Sequence, residues 1–203
     1  SKVMRADVPL GKAITPVSGG FFKIESNNGL KITDGRNRVS TITSTDIQAS
    51  NGVVHLVDKV LLPADKDIVA TASALPDFSI LVEAVVAAGL VGTLQGTGPF
   101  TVFAPTNAAF AALLTELGVS KADLLANTAL LTKVLTYHVV PARVLKAEVP
   151  TNTAITTVQG QSFTVSTSLV ITDQNMRTSN ITAADVFTSN GVIHVVDKVI
   201  LPK

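Results

Sequence analysis

The chain of 203 residues contains no cysteine and no tryptophan, and it has a single tyrosine. Without cysteine, a disulfide, a thiolate zinc site and a cysteine nucleophile are all excluded. Because tyrosine and tryptophan are so scarce, carbohydrate or polymer binding that relies on exposed aromatic rings is not predicted. The lack of cysteine leaves the cellular compartment open, since many exported bacterial proteins also lack it.

Long apolar runs and an excess of charge of one sign are also missing. The most apolar stretch, residues 80–91, is too short to span a bilayer and includes Glu83. Lysine and arginine number 16 against 15 aspartates and glutamates, so nucleic acid is not a predicted partner. We recognise no signal peptide and expect any leader to be absent from this chain. What remains is a sequence that is 46% apolar, which is enough for a packed core.

A long internal repeat organises the sequence. Residues 51–63 recur as residues 190–202 and are identical at ten of thirteen positions. Upstream of these segments, residues 2–9 are similar to residues 143–150. The repeated unit is too long for a solenoid repeat and has the size of part of a domain.

The segment between the two copies occurs only once. Residues 64–142 have no counterpart elsewhere in the chain. The simplest interpretation is one complete domain, residues 64–203, preceded by the C-terminal half of another, residues 1–63. We expect the half-domain to consist of strands only, because it is rich in Val, Ile and Thr between Gly, Pro, Asn and Asp turns.

Residues 64–136 are instead rich in Ala and Leu at helical spacing. Two apolar stripes predict helices: Phe78, Leu81, Val82, Val85, Val86 and Leu90, and then Phe110, Leu113, Leu114 and Leu117. The predicted N-caps are Asp77, Thr106, Ser120 (in a capping box with Asp123) and Asn127. Residues 100–104 read as a short strand between helices. This order predicts an α+β fold, with helices on or beside an antiparallel β-sandwich.

Three segments together resemble the fasciclin domain family. They are residues 98–110, the pair Tyr137–His138, and residues 190–197 followed by Leu201–Pro202. The resemblance covers the whole of residues 64–203, and residues 2–63 fit the same pattern from just after the Tyr-His pair onward. It implies a wedge-shaped antiparallel β-sandwich flanked by α-helices, found in secreted or surface-anchored proteins. Family members mediate cell–cell or cell–matrix adhesion, some algal relatives bind carotenoids, and no catalytic residues are established.

The resemblance also implies candidate partner-binding residues. Animal adhesion members carry an Asp-Ile pair that, with the Tyr-His region, has been linked to integrin recognition. The matching positions here are Asp185–Val186 in the complete domain and Asp46–Ile47 in the half-domain, together with Tyr137 and His138. The complete domain departs from the pair by having Val in place of Ile, and the half-domain has no Tyr-His segment.

The remaining polar motifs have structural interpretations. His55 and His194 are repeat equivalents and lack the spacing of a zinc site, and the apolar neighbours of His194 favour a hydrogen-bonded core histidine. For Tyr137, the alternative to a partner contact is an anchor between a helix and a strand, with its hydroxyl bonded to the backbone. The glycine-rich residues 92–98 lack the Gly-Lys ending of a phosphate loop, and no Gly-x-Ser-x-Gly elbow occurs. We therefore predict no enzyme activity, no metal and no cofactor.

The sequence thus favours a non-enzymatic adhesion or protein-interaction module that is secreted or on the cell surface (periplasmic or extracellular in a bacterium). Its expected partner is a cell-surface or matrix protein, with self-association as another outcome. The alternative is a carrier of a hydrophobic ligand such as a carotenoid, which the mean hydropathy of +0.43 also favours. We further expect that the half-domain has an apolar face covered by the complete domain, by another chain, or by a retained fragment. The residues assigned to this face are Val17, Phe22, Ile24 and Val54.

Overall fold

The computed structural model describes residues 2–203. Their contacts divide them into two compact units. The first unit runs to Asp65 and includes Leu145–Glu148, and the second comprises Lys66–Val144 and Val149–Lys203. The division of the chain into a half-domain and a complete domain stays a prediction.

The first unit is built on one five-stranded sheet. Its strands are β1 (Ala13–Ile14), β2 (Phe22–Ser26), β3 (Leu30–Thr33), β4 (Val39–Ala49) and β5 (Gly52–Val57). Each strand pairs antiparallel with the next along the chain, so the order in the sheet is the order in the sequence. The first unit also contains two short 3-10 turns, at Arg5–Asp7 and Lys146–Glu148.

A small apolar cluster lies on this sheet. Ile24, Leu30 and Ile32 are buried in it, and Phe22 packs against them. Ile24 was expected on a face that the complete domain, another chain or a retained fragment covers. For this residue the expectation is wrong, because strands and loops of the first unit itself pack against it. Val17 lies in the loop between β1 and β2 and is fully exposed.

The second unit combines helices with a seven-stranded sheet. The helices are α1 (Ile68–Ser73), α2 (Ser79–Ala87), α3 (Val91–Leu94), α4 (Asn107–Leu117), α5 (Lys121–Ala126) and α6 (Thr128–Tyr137). The strands are β6 (Phe100–Pro105), β7 (Val139–Val140), β8 (Ala154–Thr156), β9 (Ser162–Val165), β10 (Val170–Thr172), β11 (Thr178–Thr188) and β12 (Gly191–Val196). The sheet order is β7-β6-β12-β11-β10-β9-β8. β6 and β12 run parallel, and the other neighbouring strands are antiparallel, which confirms the α+β class.

Most of the predicted helix starts are confirmed. The Thr106 side chain accepts a hydrogen bond from the Ala109 amide, Ser120 forms its capping box, and Asn127 caps α6. The prediction for Asp77 is wrong, because it lies inside a 3-10 turn that leads directly into α2. Asn107 caps this region instead, since its Oδ1 accepts a bond from the Ile80 amide at 3.0 Å.

Alternating side chains place the central strands of the second unit between two apolar clusters. Along β6, Val102 and Ala104 belong to the cluster formed with the helices, whereas Phe103 belongs to the cluster formed with the other strands. Val86, which the sequence placed in the first apolar stripe, is largely exposed. Fewer residues of α2 therefore face the core than the sequence predicted. Within residues 2–203, no helix is long and apolar enough to cross a membrane.

Candidate functional site

The two predicted aspartates both lie in β-bulges. Asp46 in β4 and Asp185 in β11 each have φ +62°, in the left-handed region that aspartate tolerates better than most residues. The register with the neighbouring strand shifts just before each following residue, Ile47 and Val186. An extra residue therefore bends both strands at repeat-equivalent positions.

A histidine on the neighbouring strand holds each bulge. In the second unit, His194 Nδ1 accepts a hydrogen bond from the Asp185 amide at 3.2 Å. Its Nε2 donates to the Val144 carbonyl at 2.9 Å. A neutral imidazole protonated at Nε2 satisfies both contacts. His194 is fully buried, so the prediction of a hydrogen-bonded core histidine is confirmed.

The first unit repeats this arrangement. His55 Nδ1 accepts from the Asp46 amide at 3.4 Å, and its Nε2 lies 2.9 Å from the Val3 carbonyl. Val3 thus occupies the place that Val144 has in the second unit. In addition, the Asp46 carboxylate accepts a bond from the Arg5 amide at 2.8 Å.

The two bulges differ in accessibility. Asp185 is buried and Val186 is half-buried against the helices of the second unit. Asp46 is half-buried, and 43% of Ile47 is exposed. Of the two predicted pairs, only Asp46–Ile47 offers a sizeable surface to a partner.

Tyr137 is buried where α6 ends. Its hydroxyl donates a hydrogen bond to the Ser162 carbonyl at 3.0 Å, and its ring meets Phe163 edge to face. Burial raises the pKa of Tyr137 to about 12. These contacts are those of an anchor between α6 and β9.

His138 is also buried and is held at both ring nitrogens. Nδ1 donates to the Val134 carbonyl at 2.8 Å, and Nε2 accepts from the Ile200 amide at 3.1 Å. Burial lowers the pKa of His138 to about 4, so the ring is neutral at physiological pH. The predicted Tyr-His contact residues therefore present no side-chain surface of their own.

An apolar cavity of about 70 Å³ lies in the second unit between the helices and the central strands. Among its lining residues are Ile68, Leu81, Val85, Phe100, Leu135 and Ile193. Thr93, Thr136 and His138 also line the cavity, but only apolar surface is exposed to it, so a water molecule inside would find no hydrogen-bond partner.

The polar side chains of the described residues form no metal-binding cluster, and those that are buried are hydrogen-bonded. Among residues 2–203, no three His, Asp or Glu side chains gather to hold a metal ion, and no buried side-chain nitrogen or oxygen lacks a partner.

One protein-family model matches most of this chain. The model of the fasciclin domain matches residues 1–63 and 76–202, which is most of the chain. The chain belongs to the fasciclin family. Protein sll1483 of Synechocystis sp. is 46% identical to it over 138 residues, which cover 66% of this fasciclin chain and 73% of that protein.

Animal relatives are larger. Transforming growth factor-beta-induced protein ig-h3 of Sus scrofa is 32% identical over 163 residues, which cover 80% of this fasciclin chain but only 23% of ig-h3. Among solved structures, a FAS1 domain pair from the insect cell adhesion molecule Fasciclin I matches with a TM-score of 0.61. That match covers 89% of this chain and 67% of the other at 20% identity, and it shows the shared fold.

Sequence reasoning missed one organising residue of the fasciclin chain. Asn190 Oδ1 accepts a bond from the Ile68 amide, and its Nδ2 donates to the carbonyls of Leu94 and Gly96. It thereby joins the β11–β12 turn to the helical part of the second unit. The recurrence of Asn-Gly at residues 51–52 and 190–191 was the available signal, but Asn-Gly is also an ordinary hairpin turn.

Proposed function

We propose that this fasciclin chain is a non-enzymatic adhesion module of a secreted or cell-surface protein (periplasmic or extracellular in a bacterium). Membership of the fasciclin family carries the proposal, together with the fold it shares with an insect cell adhesion molecule. Its partner is a cell-surface or matrix protein, and a second copy of the chain is the other candidate. Within the described residues, every buried side-chain nitrogen and oxygen has a hydrogen-bond partner. This supports the assignment, because the groups available to a partner are then those of exposed loops and strands.

Among the six predicted contact residues, we assign direct contact to Asp46 and Ile47. A carboxylate beside an exposed branched side chain offers a partner both a charge and an apolar surface. Asp185, Tyr137 and His138 are assigned to positioning because their side chains are buried, and Val186 because its side chain packs against the helical cluster of the second unit. They shape the backbone of β11 and of the α6–β7 junction.

Bead adhesion to cells of the source organism tests this function. Beads carry the wild-type chain or the double variant Asp46→Asn/Ile47→Ala. Asparagine also tolerates positive φ and keeps an oxygen for the Arg5 amide, so the bulge should fold normally. We expect the wild-type beads to bind and the variant beads to lose most of that binding.

Val17→Ala is the matched control, because Val17 is a fully exposed apolar side chain on a loop away from the bulge. It should bind like the wild type. Equal binding by the double variant would move the contact away from Asp46–Ile47, and failure of the wild type to bind would count against adhesion itself.

The second candidate function is that of a carrier of a hydrophobic ligand such as a carotenoid, and the apolar lining of the cavity is the observation behind it. The cavity volume of about 70 Å³ is less than half of the ~150 Å³ that holds benzene in an engineered cavity, so a carotenoid would have to separate the helices from the sheet. Protein purified from the native source should then show a visible absorption band. A colourless preparation would count against this carrier function.

A further inference from the structure

Three Asn-Gly pairs occur in the chain, and each lies at a β-hairpin. They are Asn28–Gly29 between β2 and β3, Asn51–Gly52 between β4 and β5, and Asn190–Gly191 between β11 and β12. Asparagine is one of the chemically labile side chains of proteins. It reacts when the amide nitrogen of the next residue attacks its side-chain carbonyl carbon, and a following glycine favours the attack because it has no Cβ to obstruct it. The surroundings of the three pairs therefore decide which of them reacts.

The surroundings of Asn190 prevent this reaction. Its buried side chain is hydrogen-bonded to Ile68, Leu94 and Gly96. Gly191 is buried as well, in β12 between β11 and β6. The side chain would have to give up its hydrogen bonds before its carbonyl carbon could meet the Gly191 amide.

Asn51 has a more open side chain, but the glycine that follows it is held in a strand. The side chain is exposed and makes no hydrogen bond to the described residues. Gly52 already belongs to β5 and pairs with Ala49 across the turn. A backbone nitrogen in a strand pairing has to leave that pairing before it can attack a side chain. Asn51 is therefore protected by the backbone alone.

At Asn28, both the side chain and the following amide are accessible. Asn28 is exposed in the loop of residues 27–29, and its side chain makes no hydrogen bond to the described residues. Within the described residues, the Gly29 amide has no backbone acceptor either. A Cβ on Gly29 would meet nothing within 4 Å, so the loop has room to change conformation. The two requirements of the reaction meet at this pair.

We propose that Asn28 is a site of spontaneous deamidation and isomerisation. The Gly29 nitrogen forms a bond to Cγ of Asn28, and the side-chain nitrogen leaves as ammonia, which takes up the proton that the Gly29 nitrogen loses. The product is a five-membered succinimide ring. Water then opens the ring at either carbonyl carbon, which gives aspartate or isoaspartate. Water is the only co-reactant, and no enzyme, oxidant or cofactor takes part.

The reaction changes the tip of the β2–β3 hairpin in two ways. Both products carry a carboxylate that is charged at neutral pH, where asparagine has no charge. In isoaspartate the main chain also passes through the side-chain carbon, so the loop becomes longer between Ser26 and Leu30, whose pairing closes the hairpin. The isoaspartate form should therefore show faster amide exchange at the ends of β2 and β3 than the aspartate form.

Incubation of the whole chain at mildly alkaline pH tests the proposal. Trypsin cleaves after Lys and Arg, so the three pairs fall in separate peptides, residues 24–31, 39–59 and 178–198. Mass spectrometry with fragmentation follows the replacement of NH₂ by OH at each asparagine, and a methyltransferase specific for isoaspartate labels the isomerised product. We expect Asn28 to react at least about tenfold faster than Asn190, with Asn51 slower than Asn28.

The same incubation in urea separates the effect of the fold from that of the local sequence. Asn51 and Asn190 have identical neighbours, Ser before them and Gly-Val after them. In the unfolded chain the three asparagines should therefore react at similar rates. Slow reaction of Asn51 and Asn190 without urea also reports that the first and second units are folded in the sample.

Two matched variants locate the reaction within residues 24–31. Asn28→Asp has no side-chain amide to lose, and aspartate also tolerates the φ of +52° at this position, so this peptide should gain no mass. Asn27→Asp makes the same change of charge one residue earlier and leaves Asn28–Gly29 intact, so the mass gain should remain. Equal rates at the three pairs in the folded chain, or a mass gain that survives Asn28→Asp, would overturn the proposal.

Discussion

Two buried histidines of the second unit are neutral in opposite tautomers. His138 carries its proton on Nδ1, because that atom faces the Val134 carbonyl, whereas His194 carries it on Nε2, facing the Val144 carbonyl. The other nitrogen of each ring accepts a backbone amide, from Ile200 and Asp185 respectively. A second proton on either ring would therefore break a hydrogen bond that the fold uses.

Acid should destabilise the second unit through His138. Its pKa falls from 6.5 to about 4 on folding, so below pH 6.5 the unfolded state binds the proton and the folded state does not. The stability is fully present above pH 6.5, and about 2–3 kcal/mol of it is lost as the pH falls to 4.5. Urea unfolding at pH 7.5 and 4.5 measures this loss.

His138→Gln provides the comparison for this pH effect, because glutamine keeps an acceptor but does not titrate. Four aspartates have folded-state pKa values below the usual one: Asp34, Asp58, Asp123 and Asp197. For Asp58 and Asp123, the hydrogen bonds that the carboxylate accepts are the main cause. For Asp34 and Asp197, burial raises the pKa, but the several hydrogen bonds together lower it by more. Their contribution is lost only below about pH 4, as pH falls through those values. An equal loss in the wild type and the variant between pH 7.5 and 4.5 would show that His138 is not the cause.

Tyr137→Phe should weaken the fold without changing adhesion. The variant loses the hydroxyl bond to the Ser162 carbonyl, but Gln174 also donates to that carbonyl. We expect a loss of about 1 kcal/mol in the free energy of unfolding, measured with urea. Loss of bead binding by a folded Tyr137→Phe protein would instead indicate that the hydroxyl contributes to the contact.

At the scale of elements, one turn residue connects the hairpin to the helices. Asn190 sits between β11 and β12 and satisfies the first amide of α1 together with two carbonyls near the end of α3. These groups lie far apart in the sequence. A side chain that satisfies buried backbone groups contributes more than an exposed hydrogen bond, since its removal leaves them without partners.

Asn190→Ala should therefore cost about 3 kcal/mol or more of unfolding free energy. The chain supplies its own control in Asn51→Ala, which removes no hydrogen bond from an exposed repeat equivalent and should change stability by less than about 0.5 kcal/mol. Equal effects of the two substitutions in urea unfolding would contradict this role for Asn190.

At the scale of the whole molecule, the two units have unequal cores. The cluster of the first unit buries three residues, Ile24, Leu30 and Ile32. The second unit has two larger clusters on the two sides of its central strands. Because buried apolar area sets most of the stability, the first unit should open more readily.

We expect two separate transitions in urea. The ring signals of His55 and His194 report the first and second units respectively in NMR spectra, since each ring belongs to one bulge. The His55 signal should change at a lower urea concentration. A single midpoint for both rings would show that the chain unfolds as one cooperative body.

Several features followed from the sequence because their causes are local. Thr106, Ser120 and Asn127 each cap a helix within a few residues of themselves, and the α+β class followed from strand-like and helix-like segments. Asp77 had the composition of a cap but lies inside a 3-10 turn, and Asn107 reaches across from another helix to serve α2. Such a contact between distant residues leaves no local signal.

The sequence by itself determined the repeat and the resemblance to the family, and through that resemblance it singled out the two aspartates that lie in the bulges. Only the tertiary structure decided which bulge is accessible. Asp46–Ile47 and Asp185–Val186 are repeat equivalents with the same backbone bend, yet Ile47 is exposed whereas Asp185 is buried and Val186 is half-buried. The cover over β12 comes from β6 and the helices, which lie far away in the chain. Burial depends on what packs against a strand, and the strand's own residues do not specify it.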